Sequence, residues 1–228
     1  MKVYKLPEKI TGLIFDMDLT LYTHPEYGKI QIDNLVAIVG KNRGWSAERA
    51  NSEIEAARKS WAASHGGKKP SLSNIILSWG FTMEDNVRWR EDAYEPEKFL
   101  RKDTRLRETL LALADFSLGI VTNNPISIAK RTLVSLGVED CFSALVGLDT
   151  CMIPKPHELP FIRIIELFKA AQNKAGATQV SPGTCVSIGD RYEIDLEIPM
   201  EMGMGGILVD GVEDVYGLPE LLPHNHGT

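Results

Sequence analysis

The stretch "GLIFDMDLTLY", residues 12 to 22, carries the pattern on which the prediction of the fold rests. An apolar run leads directly to Asp16, and Asp18 and Thr20 follow at alternate positions. A short apolar run without alternation is typical of a strand that helices cover on both faces. Two carboxylates therefore stand at the carboxyl end of a buried strand, where the repulsion between their charges has to be offset.

The composition is that of an ordinary globular protein, since 43% of the 228 residues are hydrophobic and 25% are charged. A formal net charge of -6 argues against a nucleic-acid surface. The three cysteines lack metal-ligand spacing and are typical of reduced thiols. The amino terminus has no signal-peptide core, and no run approaches about 18 apolar residues, so we expect a cytoplasmic protein without a membrane span.

Short apolar runs recur along the chain, and the segments between the later runs have helical periodicity. The predicted strands are residues 12–16, 117–122, 144–147, 184–189 and 206–209. The predicted helices cover residues 126–136, with Gly137 as a C-terminal cap, and residues 158–174. This alternation implies right-handed crossovers, so the sequence predicts an α/β fold with a doubly wound, parallel, Rossmann-like sheet.

Residues 23–102 interrupt the alternation, because they show helical periodicity and no convincing strand. We interpret this segment as an all-helical insertion with its own small core, inserted into a core domain of residues 1–22 and 103–228. The segment contains all four tryptophans, which we expect to pack its own core rather than to line a pocket. Periodicity alone leaves open which of its side chains face the substrate; the candidates are Tyr27, Arg58, Trp61 and Arg88.

Side chains with catalytic chemistry follow four of the predicted strands. They are Asp16, Asp18 and Thr20 after the first, Thr122, Asn123 and Asn124 after the second, Lys155 beyond the third, and Asp190 and Asp195 after the fourth. In an open parallel sheet, ligands bind beyond the carboxyl ends of the strands, where the strand order reverses. We therefore expect acids, a hydroxyl, an amide and a lysine to meet at one edge of the sheet.

This ordered set resembles the four motifs of the haloacid dehalogenase superfamily. The Asp-x-Asp-x-Thr of residues 16–20 resembles the first motif, Thr122 the second, Lys155 the third, and Gly189-Asp190 with Asp195 the acidic fourth. The resemblance spans about residues 10 to 210, and the helical segment lies where the family places its cap. The finer resemblance is to the branch with pyrimidine nucleotidases and phosphoglycolate phosphatases.

The resemblance implies phosphoryl transfer through an aspartyl-phosphate, with Asp16 as the nucleophile. Mg²⁺ would be held by Asp16, Asp190 and the backbone carbonyl of Asp18, and would offset the repulsion between carboxylate and phosphate. Asp18 would protonate the leaving oxygen and then activate water. An acid at this position is a feature of the family's phosphatases and disfavours dehalogenation.

The remaining residues complete the expected site. Thr122, the backbone amide of Asn123 and Lys155 would bind the phosphate, and Asp195 would orient Lys155 or a metal-bound water. We expect a Mg²⁺-dependent phosphomonoesterase that acts on a small cytosolic phosphate ester. A phosphotransferase or mutase and a non-catalytic binding module are the alternatives. The sequence does not determine the oligomeric state, nor does it choose among a pyrimidine nucleotide, a glycolate-type ester and a sugar phosphate.

Overall fold

The computed structural model describes residues 1–67, 70–171 and 179–222. The strands are β1 (Lys2–Val3), β2 (Gly12–Phe15), β3 (Ser117–Val121), β4 (Ala144–Val146), β5 (Cys185–Gly189) and β6 (Gly205–Leu208). The helices are α1 (Pro25–Arg43), α2 (Ala47–Ser64), α3 (Leu72–Ser78), α4 (Met83–Ala93), α5 (Pro96–Phe99), α6 (Thr104–Ala112), α7 (Ile126–Leu136), α8 (Leu148–Cys151), α9 (Glu158–Ala171), α10 (Glu197–Glu201), α11 (Val212–Val215) and α12 (Leu218–Leu221). Within these ranges no helix is both long and apolar enough to cross a membrane.

The six strands form one sheet in the order β1-β6-β5-β2-β3-β4. Strand β2 is parallel to β3 on one side and to β5 on the other, so that Phe15 lies opposite both Ile120 and Ile188. The carboxyl ends of these three strands therefore lie side by side at the point where the strand order reverses. The predicted α/β fold with a doubly wound, Rossmann-like sheet is confirmed.

Each predicted strand agrees with the structure to within one residue at either end, and one further strand was missed. The missed strand is β1, which pairs antiparallel with β6 at the edge of an otherwise parallel sheet. Its two residues are exposed and form no apolar run, so the sequence carries no signal for it. Helix α7 has the predicted bounds and ends at Gly137 with φ +72. The last three residues of the predicted helix 158–174 lie outside the described residues.

Alternate residues of β2 enter separate cores on the two faces of the sheet. Leu13 and Phe15 belong to a large cluster that also contains residues of α6 and α7. Ile14 belongs to a second cluster, which includes Phe161 and Phe168 of α9. Helices thus cover β2 on both faces, which explains why its sequence is apolar at successive positions.

The described part of residues 23–102 forms five helices and no strand. Its apolar side chains build two clusters, one around Leu35 and Trp89, which also includes Ile128 of α7, and one around Val36 and Ile54. Trp45 and Trp79 pack against these clusters, whereas Trp61 stacks on His65. The predicted packing role is therefore confirmed for three tryptophans. That this segment is a separate cap domain stays a proposal.

The contact between β3 and α9 leaves no room for a side chain at Gly119. An added Cβ would lie 2.6 Å from Cζ of Phe168 and 3.0 Å from Cδ1 of Ile164. Both neighbours are fully buried, so neither can move aside without disturbing the core. We expect Gly119→Ala to lower the free energy of unfolding by about 1–3 kcal/mol, as measured by urea denaturation.

The matched control is Gly28→Ala in α1, where no atom of the described part of the chain lies within 4 Å of the added Cβ. Alanine favours a helix over glycine, so this variant should gain about 0.5–1 kcal/mol. Equal stabilities of the two variants would contradict the packing described for β3 and α9.

Candidate active site

After β2, the first motif forms a tight turn, and Asp16 and Asp18 lie in different surroundings on either side of it. The amide of Asp16 still donates to the carbonyl of Ile188 in the neighbouring strand, at 2.8 Å. The chain then turns, with the amide of Leu21 donating to the carbonyl of Met17 at 2.9 Å. Leu19 takes a left-handed conformation with φ +59, which costs an L-residue on the order of 1 kcal/mol. The motif thus carries backbone strain where it borders a cavity.

Lys155 is the centre of a buried cluster of charges. Its Nζ donates to Oδ1 of Asp16 and to Oδ1 of Asp195, at 2.7 Å in both cases, and its side chain is only 2% exposed. Burial alone would lower the pKa of the ammonium, but the charges of Asp16 and Asp195 outweigh it and raise the pKa of Lys155 above its usual range. Lys155 therefore stays charged and compensates the carboxylate of Asp16.

Neighbouring strand ends hold Lys155 and Asp195 in place. The Asn123 side chain accepts from the Lys155 amide at 2.7 Å and donates to the Lys155 carbonyl at 3.1 Å. Asp195 packs on Gly189, where an added Cβ would lie 2.4 Å from Cβ of Asp195. Oδ2 of Asp195 accepts from the amide of Arg191 at 3.0 Å. Both oxygens of Asp195 are thus used inside the protein.

Asp16, Asp190 and Asp195 each place a carboxylate oxygen within 4.8 Å of the others. Oδ1 of Asp190 is buried and has no hydrogen-bond partner among the described residues, and Nε of Arg191 lies 3.8 Å away from it. Burial, and then the charge of Asp16, raises the pKa of Asp190 to about 7. A buried, unpartnered oxygen beside a second carboxylate suits a hard divalent cation. The residues present therefore fit a divalent cation, and the assignment of Mg²⁺ with Asp16 and Asp190 as side-chain ligands stays a prediction.

Asp18 lies apart from this cluster, and both of its oxygens accept hydrogen bonds. Oδ2 accepts from Nδ2 of Asn124 at 2.7 Å, and Oδ1 accepts from the hydroxyl of Tyr22. Burial and the charge of Asp18 raise the pKa of Tyr22 far above its usual range, so the phenol keeps its proton. Burial and the charge of Asp16 raise the pKa of Asp18 as well, which favours a carboxyl that can donate a proton. The prediction that Asp18 binds metal through its backbone carbonyl stays a prediction.

A cavity of about 820 Å³ opens over these groups, between the helical segment and the edge of the sheet. The predicted residues that line it are Asp16, Asp18, Thr122, Asn123 and Asp190. Lys155 and Asp195 do not line it, although Lys155 was expected to bind phosphate. Its ammonium points instead to two carboxylates, so its effect reaches the cavity through Asp16. A direct contact of Lys155 with phosphate stays a prediction.

Of the four candidates in the helical segment, Arg58 alone lines the cavity. Tyr27 is buried and stacks on Phe99. Arg88 pairs with Asp85 on the exposed side of α4, and Trp61 stacks on a histidine. The periodicity of these helices therefore did not identify the side chains that reach the site.

Arg90 of α4 reaches the site and was missed. Its Nη1 donates to Oδ1 of Asn124 at 3.1 Å, next to the contact between Asn124 and Asp18. The signal was its spacing from the other buried residues of α4, such as Asn86 and Ala93, which places an arginine on the buried face. Asn124 and Tyr22, the two donors to Asp18, were also given no role from the sequence.

Comparisons with known proteins identify the family of this chain. A family model described as haloacid dehalogenase-like hydrolase matches residues 10–199. A phosphoglycolate phosphatase from Pectobacterium atrosepticum is 26% identical over 229 residues, which cover 92% of each chain. One from Yersinia pestis is 33% identical over 63 residues, 27% of each chain.

Solved structures show the same fold at low identity. A HAD phosphatase from Thermococcus onnurineus superposes with a TM-score of 0.56 at 19% identity, covering 93% of this chain and 97% of that one. The putative HAD-hydrolase YfnB from Bacillus subtilis, solved bound to magnesium, has a TM-score of 0.56 at 14% identity and covers 93% and 100%. The family match spans most of the chain and includes all four strand ends of the site. The chain therefore belongs to the haloacid dehalogenase-like hydrolases.

Proposed function

We propose that this hydrolase is a phosphatase, which hydrolyses a small cytosolic phosphate monoester through an aspartyl-phosphate on Asp16. The observation that carries the proposal is the position of Asp16, at the cavity and hydrogen-bonded to a buried lysine. Lys155 holds Oδ1 of Asp16 and so limits the rotation of the carboxylate. A carboxylate that is fixed in this way faces the substrate in one orientation, which favours in-line attack on phosphorus.

Asp16 and Asp190 would hold Mg²⁺ together with the backbone carbonyl of Asp18. When bound, the cation would offset the repulsion between Asp16 and the phosphate dianion. The unpartnered oxygen of Asp190 supports this assignment, as does the magnesium-bound relative of the same fold. Asp195 would keep Lys155 in place beneath Asp16.

The other groups at the cavity would bind the phosphate oxygens and transfer the proton. Asp18 would protonate the leaving oxygen in the first step and remove a proton from water in the second. The hydroxyl of Thr122 and the backbone amide of Asn123 would donate hydrogen bonds to the phosphoryl oxygens. The helical segment, residues 23–102, would act as a cap that excludes water.

For the substrate, we propose a small anionic ester of the glycolate type. The support is twofold. The relatives from Pectobacterium atrosepticum and Yersinia pestis are both named phosphoglycolate phosphatases. The cavity is also lined by cationic side chains besides its acids: Lys29, Arg58, Arg90 and Arg191.

The nucleophile is tested by Asp16→Asn, assayed with 4-nitrophenyl phosphate and 2-phosphoglycolate in the presence of Mg²⁺. An amide cannot form the acyl phosphate, so kcat should fall by about a thousandfold or more on both substrates. The control Asp33→Asn removes a different carboxylate at the same cavity, one that pairs with Lys29, and should leave kcat nearly unchanged. Activity that survives in Asp16→Asn would refute the mechanism.

The metal site is tested by the stability of Asp190→Asn. The pKa of Asp190 is about 4 in the unfolded chain and about 7 in the folded protein. Between these pH values the folded protein therefore binds one proton more than the unfolded chain. The metal-free protein should therefore lose stability as the pH rises from about 4 to about 7. At pH 8, Asp190→Asn should raise the free energy of unfolding of the metal-free protein by on the order of 1–3 kcal/mol.

Mg²⁺ should stabilise the wild type at pH 8 and should stabilise Asp190→Asn much less, because one ligand is lost. Thermal unfolding in EDTA and in Mg²⁺ measures both effects. Asp115→Asn, an exposed substitution, is the control and should behave as the wild type. Equal stabilisation of Asp190→Asn and the wild type by Mg²⁺ would remove Asp190 from the metal site.

A further inference from the structure

Arg90 is a buried cation whose hydrogen bonds reach only neutral acceptors within the described ranges. Its side chain donates to Oδ1 of Asn86 and to Oγ of Ser73, both at 3.2 Å. It also donates to the hydroxyl of Tyr94 at 3.0 Å and to Oδ1 of Asn124 at 3.1 Å. No carboxylate of the described residues forms an ion pair with it, and the residue is 7% exposed. A buried charge without a direct ion pair is costly, and the carboxyl on which the charge of Arg90 acts, by lowering its pKa, is that of Asp18.

The contact with Arg90 determines which way the Asn124 amide faces. A guanidinium only donates hydrogen bonds, so the amide oxygen of Asn124 has to face Arg90. The NH₂ group then faces Oδ2 of Asp18, at 2.7 Å. In the flipped orientation, NH₂ would meet the guanidinium and the amide oxygen would meet the carboxylate, so both contacts would be repulsive. Arg90 therefore holds Asn124 as a donor to Asp18.

The Asn124 contact also distinguishes the two oxygens of Asp18. Oδ2 is used as an acceptor for Asn124, whereas Oδ1 lies against the hydroxyl of Tyr22. A hydroxyl can either donate or accept, but an amide NH₂ only donates. The Tyr22 hydroxyl can turn from donor to acceptor, so Oδ1, unlike Oδ2, can carry a proton without facing a group that only donates.

We propose that Arg90 and Asn124 are positioning residues for Asp18. The chain of contacts Arg90–Asn124–Asp18 holds the carboxyl in the orientation from which Oδ1 gives its proton to the leaving oxygen. This inference rests on the role proposed above for Asp18. Arg90 belongs to α4 in the helical segment, whereas Asp18 and Asn124 follow β2 and β3. Asp18 is thus correctly oriented only when α4 is seated on the edge of the sheet.

The test compares two substrates that differ in their need for a proton. The 4-nitrophenolate of 4-nitrophenyl phosphate leaves without one, whereas the leaving group of phenyl phosphate is a poorer anion and depends on the acid. Asn124→Ala and Arg90→Met should each lower kcat/KM, which reports only the step in which the leaving group departs, by about tenfold or more for phenyl phosphate beyond the loss for 4-nitrophenyl phosphate. The double variant should lose no more than the worse single variant, because both act through one chain. Arg88→Met, on the exposed side of α4, is the matched control and should change neither rate.

Equal losses on the two substrates, or additive losses in the double variant, would overturn the proposal, because a purely structural role lowers both rates alike. Arg90→Lys keeps the charge but lacks the fork of donors, and it replaces Arg90→Met if that variant does not fold. Independently of activity, the Asn124 NH₂ protons should exchange faster with solvent in Arg90→Lys than in the wild type by NMR, and unchanged exchange would also overturn the proposal. If Asp16→Asn abolishes activity while the losses on the two substrates are equal, this inference fails and the proposed function stands. If Asp16→Asn stays active, both fail.

Discussion

The hydrogen bonds of Lys155 to Asp16 and Asp195 are the interaction on which the site depends. Two carboxylates share one ammonium in the interior, each at 2.7 Å. Removing one member of such a buried set leaves an uncompensated charge, which typically costs about 3–5 kcal/mol. Lys155, Asp16 and Asp195 are therefore stable together only when all three side chains are correctly placed. Asn123 holds the Lys155 backbone from β3, and Gly189 at the end of β5 leaves space for Asp195.

This network also explains why the two aspartates of the first motif differ although they are two residues apart. Asp16 is compensated by a buried lysine, whereas Asp18 is surrounded by the phenol of Tyr22 and the amide of Asn124. Compensation suits a charged nucleophile, and a raised pKa suits a proton donor. Asp190 has a buried oxygen without a hydrogen-bond partner among the described residues. Negative charge that the protein does not compensate therefore lies where a cation would bind between the protein and the phosphate.

Much of this arrangement could be predicted from the sequence, and the limits have physical causes. The strand ends were predictable because buried parallel strands are apolar runs, and Asp16, Thr122 and Asp190 follow such runs. The direction of the side chains on the helices was not predictable, because a helix that packs on two partners has no single buried face. Ile32 has the spacing of the core residues of α1 but is 42% exposed and lines the cavity. Arg90 has the spacing of the buried residues of α4, but its charge favours an exposed position, and only the placement of α4 against the sheet accounts for its burial.

The most direct test is to identify the residue that carries the phosphoryl group during turnover. Asp18→Asn, which should slow hydrolysis of the intermediate, is mixed with substrate and Mg²⁺, quenched and reduced with borohydride. Reduction converts an aspartyl-phosphate to homoserine, which peptide mass mapping detects. The account predicts homoserine at position 16 and unmodified Asp190 and Asp195. Homoserine at another position, or phosphate release in this variant with residue 16 unmodified, would contradict it.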